Sequence, residues 1–316
     1  MAGLSGYRCC TPDYRPLVER SVVYVDGEVH QVLASYDNGV TLLIPKYVVG
    51  EGLLYSKPLA SRLKRLVWHY RPGEVASLAN THDPCFDAKT YTLSWSHAPL
   101  VCDPRCRREE LESPRDELEE EALELITGLR GLGVEAYPTG SILGYYHDPR
   151  ISDIDLVVYV DSRGGCKDII EAVAALLEPL PPGRVEAWAR ARGVEPGLYR
   201  RWVRGVYHGR EVSIVFALGA PRRYCEIMID YGGLRRIVER RLSLEPGGCR
   251  ALTWPHFTLS KEGLLVVSFD GVYAPMLFEG GCVEATGLKA RVSLGGVWYD
   301  AIILGVSEAE TRVVRC

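Results

Sequence analysis

No apolar run in this 316-residue sequence approaches the ~20 residues a helix needs to cross a bilayer, so a membrane-spanning class is excluded and no membrane partner is expected. The opening stretch, MAGLSGYRCCTPDYRP, has no apolar segment of the kind a secretory signal carries, so the cytoplasm is the expected compartment. Net charge is small, at −4, and no global field draws the chain to nucleic acid or to a membrane surface. Lysine is scarce: of 37 basic residues, 7 are Lys and 30 are Arg. Arg suits bidentate contacts to phosphate and carboxylate, but a GC-rich or thermophilic source gives the same bias and is the preferred cause. Internal repeats and low-complexity segments are lacking. What is left, 47% hydrophobic and 25% charged residues, is an ordinary globular composition at a length that fits two or three domains.

Ten cysteines are many for a cytosolic protein. Intracellular disulfides of hyperthermophiles offer one explanation. His82, Cys85, Cys102 and Cys106 form an H-x2-C and a C-x3-C pair at spacings that zinc tolerates. The same stretches, HDPC and CDPRC, read equally as Asp-Pro turns, and nearby cysteines can pair, so zinc is the disfavoured reading.

Three regions follow from the patterning. Residues 1–107 form an N-terminal β-rich region, with strand-like SVVYV, EVHQVLASY and VTLLIPKYV separated by turn signals at Asp26-Gly27 and Asp37-Asn38-Gly39. A short helix is predicted over Leu59–Tyr70. Residues 108–250 alternate helix and strand. A helix is predicted to start at Ser113 (N-cap) and Pro114, with Leu118, Ala122, Leu125, Ile126 and Leu129 at helical spacing and an acidic, solvated outer face. VEAYP follows as a strand, CKDIIEAVAALLEPL as a helix, and WVRGVY–REVSIVFAL as a hairpin turning at His208-Gly209. Residues 251–316 hold short strands with glycine turns and are expected to form a small β-barrel-like module. The overall class is mixed α+β or α/β. Between Arg184 and Arg210, seven Arg and two Glu are interleaved with Trp188, Tyr199 and Trp202. Amphipathic helices with solvated Arg are preferred there to single-stranded nucleic-acid contact, although some of these arginines lie in reach of a triphosphate.

The chemistry concentrates in TGSILGYYHDPRISDIDLVVYV, Thr139 to Val160. Strands are poor in Asp, yet Asp153 and Asp155 alternate at the start of one. They share a face with Val157 and Tyr159, opposite Ile154, Leu156 and Val158. Paired carboxylates raise each other's pKa unless a cation neutralises them, and hard oxygen ligands suit Mg²⁺ or Mn²⁺. Gly140 permits close backbone approach, and Ser141 adds a hydroxyl beside N–H groups that favour phosphate.

Gly140-Ser141, eleven residues, then Asp153-Ile154-Asp155-Leu156 resembles the signature of the DNA polymerase β-like nucleotidyltransferase superfamily over about Ser113 to Leu218. The whole chain is also similar to an archaeal group described only as predicted nucleotidyltransferases with flanking β-rich domains. The resemblance implies a nucleotidyltransferase-like core with a mixed sheet. It implies that Gly140 and Ser141 hold the triphosphate of an NTP, and that Asp153 and Asp155 hold the metal ions and act catalytically. The acceptor, whether RNA, protein or small molecule, is left open. A third carboxylate, the expected base, is normal on a neighbouring strand. The matching position here is Ser213, which is counted with Gly140 and Ser141 among the nucleotide-binding residues, and Glu211, two residues earlier on the same face, is the substitute catalytic candidate. Two readings therefore stand: a Mg²⁺-dependent transferase, or a degraded core that binds nucleotide or RNA without turnover.

Overall fold

The structure, a computed structural model, describes residues 7–12, 17–68, 74, 77–90, 92, 99–161, 165–233, 235–306 and 312–316. It is a mixed α+β protein of three sheets, a two-stranded ribbon and, among the described residues, seven α-helices.

The N-terminal sheet contains β1 (Cys10–Pro12), β2 (Val22–Val25), β3 (Glu28–Ser35), β4 (Thr41–Ser56) and β5 (Ser61–Arg65). The ribbon is β6 (Thr81–Asp83) with β7 (Ala88–Thr90), and β8 (Leu100–Cys102) returns to the first sheet. That sheet has the order β1-β8-β2-β3-β4-β5 and is antiparallel throughout. Its first turn is the expected one, with Asp26 and Gly27 both at positive φ (49° and 79°). The helix predicted over Leu59–Tyr70 is instead β5, whose five residues alternate around buried Leu63 with Arg62 and Lys64 exposed. Residues 69 and 70 of that expected helix lie outside the described set.

Helices α1 (Pro104–Glu110) and α2 (Glu117–Gly131) lead into the central unit. The cap of α2 is Asp116, which accepts from the Glu119 N–H, rather than Ser113. Its buried face is the predicted one, Leu118, Ala122, Leu125, Ile126 and Leu129. There follow β9 (Ala136–Pro138), the one-turn α3 (Gly140–Leu143), β10 (Ile154–Tyr159), α4 (Cys166–Leu176), α5 (Pro182–Arg192), β11 (Arg204–Tyr207) and β12 (Arg210–Ala217). Their sheet has the order β11-β12-β10-β9 and is mixed: β10 and β12 run parallel, and both outer strands are antiparallel to their neighbours. His208 and Gly209 make the β11–β12 turn at φ 49° and 85°. Ile154, Leu156 and Val158 join Val212, Ile214 and Phe216 in one core with α2 and α4. Helices thus cover one face of this sheet, and the alternate residues of β10 and β12 point to the other.

The C-terminal sheet is β13 (Ile227–Asp230), β14 (Ile237–Leu244), β15 (His256–Leu259), β16 (Leu265–Ser268), β17 (Gly281–Leu294), β18 (Val297–Leu304) and β19 (Arg312–Arg315), with α6 (Cys249–Leu252) and α7 (Ala274–Glu279) beside it. No closed barrel forms. The fourteen-residue β17 instead pairs with β13, β14, β18 and β19 in an open sheet, and two of those strands precede residue 251.

All ten cysteines pair: Cys9–Cys106, Cys10–Cys102, Cys85–Cys225, Cys166–Cys249 and Cys282–Cys316. The zinc set is therefore not assembled, since Cys85, Cys102 and Cys106 enter three different disulfides.

Candidate functional site

The open face of the central sheet forms the floor of a cleft of about 1370 Å³, walled by the N-terminal sheet, the β6–β7 ribbon and the C-terminal region. Gly140, Ser141, Asp153, Asp155, Glu211 and Ser213, residues spread over seventy positions, all line it. So do ten Lys or Arg side chains against five Asp or Glu, a net of +5 in a chain of net −4. An anionic ligand suits such a cleft.

Local structure positions the first four. Thr139 N–H donates to the Asp155 carbonyl (2.9 Å), which ties the start of α3 to β10. Gly140 sits at φ +58°, and a Cβ there would stand 2.3 Å from Asp155 Oδ2. Only glycine lets the turn lie against that carboxylate. The Arg107 guanidinium, buried and stacked on Tyr145 at 4.5 Å, braces the turn from behind by donating to the Ile142 carbonyl (3.2 Å).

Neither aspartate side chain holds the turn that precedes it. The turn before them is held by Ser152 Oγ, which accepts from the Asp148 N–H (3.0 Å), and by Asp148, which accepts from Arg150. No hydrogen bond engages either the Asp153 or the Asp155 carboxylate among the described residues. Burial, and next the neighbouring Asp153, push the Asp155 carboxyl up to about 7, against the pull of Lys46, Arg204 and Arg65.

Strand register places the remaining residues. Asp155 is paired with Ser213 on β12, and Ser213 with Arg204 on β11, so the three form one row across the sheet. Glu211 is in the cleft, but its carboxylate is bound by Arg184 and by Arg204 (2.7 Å to Nη2). Burial works to raise its pKa, and the hydrogen bonds from Arg204 and Arg184 outweigh that and hold it below the usual range. Arg204 Nη2 in turn lies 3.7 Å from Asp153 Oδ2. Where a third carboxylate was expected to face the pair, the structure has a guanidinium that links Glu211 to Asp153.

Sequence reasoning did not find the opposite wall. Arg20, Lys46 and Arg65 come from the N-terminal sheet, about 90 to 135 positions before the dyad, and no local motif marks them. Of the arginines in the basic stretch, Arg184, Arg192, Arg204 and Arg210 do reach the cleft, while Trp202 is buried in the core behind it.

A second cluster lies outside the cleft. One ligand atom each from Asp116, Glu119 and His147 fall within 4.8 Å of one another, and the three could hold a metal ion. Here, however, His147 Nε2 is 2.8 Å from Asp116 Oδ2, and both Arg107 and Arg115 donate to Glu119. Two guanidiniums already neutralise that carboxylate.

No protein-family model, curated protein or solved structure matches the chain. No helix among the described residues is long and apolar enough to cross a membrane.

Proposed function

We propose that the protein is a divalent-cation-dependent nucleotidyltransferase, moving a nucleoside monophosphate from an NTP to a hydroxyl or phosphate acceptor, as the DNA polymerase β-like superfamily does. The observation that carries this reading is the pair Asp153 and Asp155, exposed to a basic cleft and hydrogen-bonded to nothing, with Gly140 packed against the second. Keeping two adjacent carboxylates with no hydrogen bond to either, and only Arg204 at 3.7 Å from Asp153 as a near counter-charge, is costly, and a bound cation removes the cost. Mg²⁺ or Mn²⁺ between them would activate the attacking hydroxyl and neutralise the leaving pyrophosphate. Gly140 and Ser141 would hold the triphosphate, and Arg204 and Arg184 would compensate its charge from the far side. The volume of the cleft leaves room for an acceptor beside the nucleotide.

The test is incubation with each labelled NTP, Mg²⁺ or Mn²⁺, and a cell extract. Label carried to an acceptor by the wild type and not by Asp153→Ala is the expected result, and the labelled product shows whether RNA, protein or a small molecule accepts. A second reading is favoured by Ser213 and by the engagement of Glu211: a nucleotide- or RNA-binding module without turnover. Cation-dependent NTP binding with no label transfer would decide for it. The cytoplasm is the proposed compartment, with disulfides of the kind that persist inside hyperthermophiles.

Protonation gives a sharper check on the cation. With its pKa near 7, Asp155 holds a proton at pH 6 that a metal must displace, and has lost it by pH 8. The rise in melting temperature caused by Mg²⁺-NTP should therefore grow from pH 6 to pH 8 and level off above. Asp155→Asn should abolish that response. It should also raise the melting temperature of the ligand-free protein at pH 8, because it removes a buried repulsion, by about 2 °C for each kcal/mol relieved. A nucleotide response that is flat with pH, or kept by Asp155→Asn, would remove Asp155 from the site.

A further inference from the structure

The dyad accounts for one side of the cleft. The other side is built by the N-terminal sheet, and its chemistry centres on Arg20. This residue precedes β2 and sits at φ +71°, a conformation that non-glycine residues seldom adopt. Its backbone is over-determined: its N–H donates to the Val32 carbonyl (2.9 Å), and its carbonyl accepts from Thr139 Oγ1 (2.8 Å). Thr139 immediately precedes Gly140-Ser141. It also accepts from Gln31 Nε2 (3.0 Å), whose Oε1 accepts from Lys46 Nζ (3.3 Å). The network therefore fixes Arg20, Lys46 and the Gly-Ser turn relative to one another.

The Arg20 side chain lines the cleft. Its Nε is buried with no hydrogen-bond partner, and no ion pair holds its guanidinium among the described residues. Glu19, the adjacent acid, is already committed to Arg222 (2.6 and 3.1 Å) and to the Leu218 N–H (3.1 Å). Burial disfavours the charged form of Arg20, with nearby Arg222 adding to the effect, while Glu19, Tyr159 and Asp155 oppose it. A half-buried guanidinium whose Nε has no hydrogen-bond partner among the described residues, on a strained backbone and lining a cavity, is incomplete by itself. What completes it is a planar or tetrahedral oxyanion.

We propose that Arg20, assisted by Lys46, forms an anion subsite for a phosphate or polyphosphate group, contributed to the active cleft by the N-terminal β-domain. This rests on the nucleotidyltransferase reading only for the identity of the molecule that carries the phosphate. The group belongs either to the triphosphate of the donor or to a phosphate on the acceptor. Either way the N-terminal domain is part of the site, and the central unit alone is an incomplete one.

The experiment uses the full chain and inorganic tripolyphosphate, followed by thermal shift and calorimetry with EDTA present so that no divalent cation takes part. Tripolyphosphate should bind the wild type and bind Arg20→Gln about 10- to 100-fold more weakly, the loss expected of a charged hydrogen-bond pair. Asp153→Asn should bind it at least as well as the wild type. Ligand-free Arg20→Gln should melt no lower than the wild type, since no hydrogen bond or ion pair among the described residues is lost with the guanidinium, whereas a purely structural Arg20 would leave it less stable. Arg20→Lys, which keeps the charge and loses the fork, should fall between. In a separate titration with Mg²⁺ and without EDTA, competition by NTP assigns the subsite to the donor, and simultaneous binding of NTP and tripolyphosphate assigns it to the acceptor; each supports it. Undiminished tripolyphosphate binding by Arg20→Gln, or no binding by the wild type, would overturn the proposal. Neither result bears on whether Mg²⁺-NTP binds at Asp153 and Asp155.

Discussion

Cys85→Ser with Cys225→Ser should lower the melting temperature by about 10 °C. Their disulfide spans 140 residues, the longest separation of the five. In the chain-entropy treatment, closing a loop of that length removes about 5 kcal/mol of freedom from the unfolded chain, and a protein of this size loses roughly 2 °C per kcal/mol. Some contact survives the change. Cys85 O still accepts from the Ile229 N–H (2.7 Å), and Phe86 still packs edge-on against Trp254 and Phe269 in the C-terminal core. The double variant should therefore fold, and calorimetry of it beside the wild type reads the loss directly. A change under about 2 °C would mean that the ribbon is held by packing alone. The bond also ties the β6–β7 wall of the cleft to the C-terminal sheet, and Cys166–Cys249 ties the central unit to α6. The two bonds thus join the ribbon and the central unit covalently to the C-terminal region.

Gly140→Ala should weaken Mg²⁺-NTP binding or turnover by about 100-fold while costing only about 1–3 kcal/mol of stability. Two effects combine. An alanine at φ +58° is strained by roughly 1–2 kcal/mol. Its Cβ would also lie 2.3 Å from Asp155 Oδ2 and 3.0 Å from Cγ, so either the carboxylate turns away or the turn lifts. A shift of about 1 Å in a reacting group costs on the order of a hundredfold. Thermal melting and nucleotide titration on the same sample separate the two consequences. Equal wild-type affinity in Gly140→Ala would mean that Asp155 does not act from its present position.

Much of the fold was legible because it depends on local rules. The turns Asp26-Gly27 and His208-Gly209 announced their hairpins, and the apolar stripe of α2 announced its buried face. The failures are physical too. Leu59–Tyr70 offers enough apolar residues for a helical stripe, but the segment adds an edge strand to β4, and pairing with a neighbour overrode local preference. In place of the expected barrel, the C-terminal sheet is organised by β17, which is long enough to pair with four strands along its length, a choice made by tertiary contacts that no single strand encodes. Cysteine connectivity is not deducible from spacing. For the site, TGS and DID were readable at a distance of eleven residues. The cationic wall was not, because Arg20, Lys46 and Arg65 converge only through the docking of one sheet on another.

The row Asp155–Ser213–Arg204 has a consequence for how this cleft could change over time. In a parallel pair, residues in register project side by side from strands about 4.8 Å apart. An aspartate at 213 would stand next to Asp155, with Arg204 flanking it on the other strand as a ready counter-charge. Arg204 would then be shared among Glu211, Asp153 and the new carboxylate, while Arg184 still holds Glu211. A single substitution would thus add a third carboxylate beside Asp153 and Asp155 without remodelling the backbone.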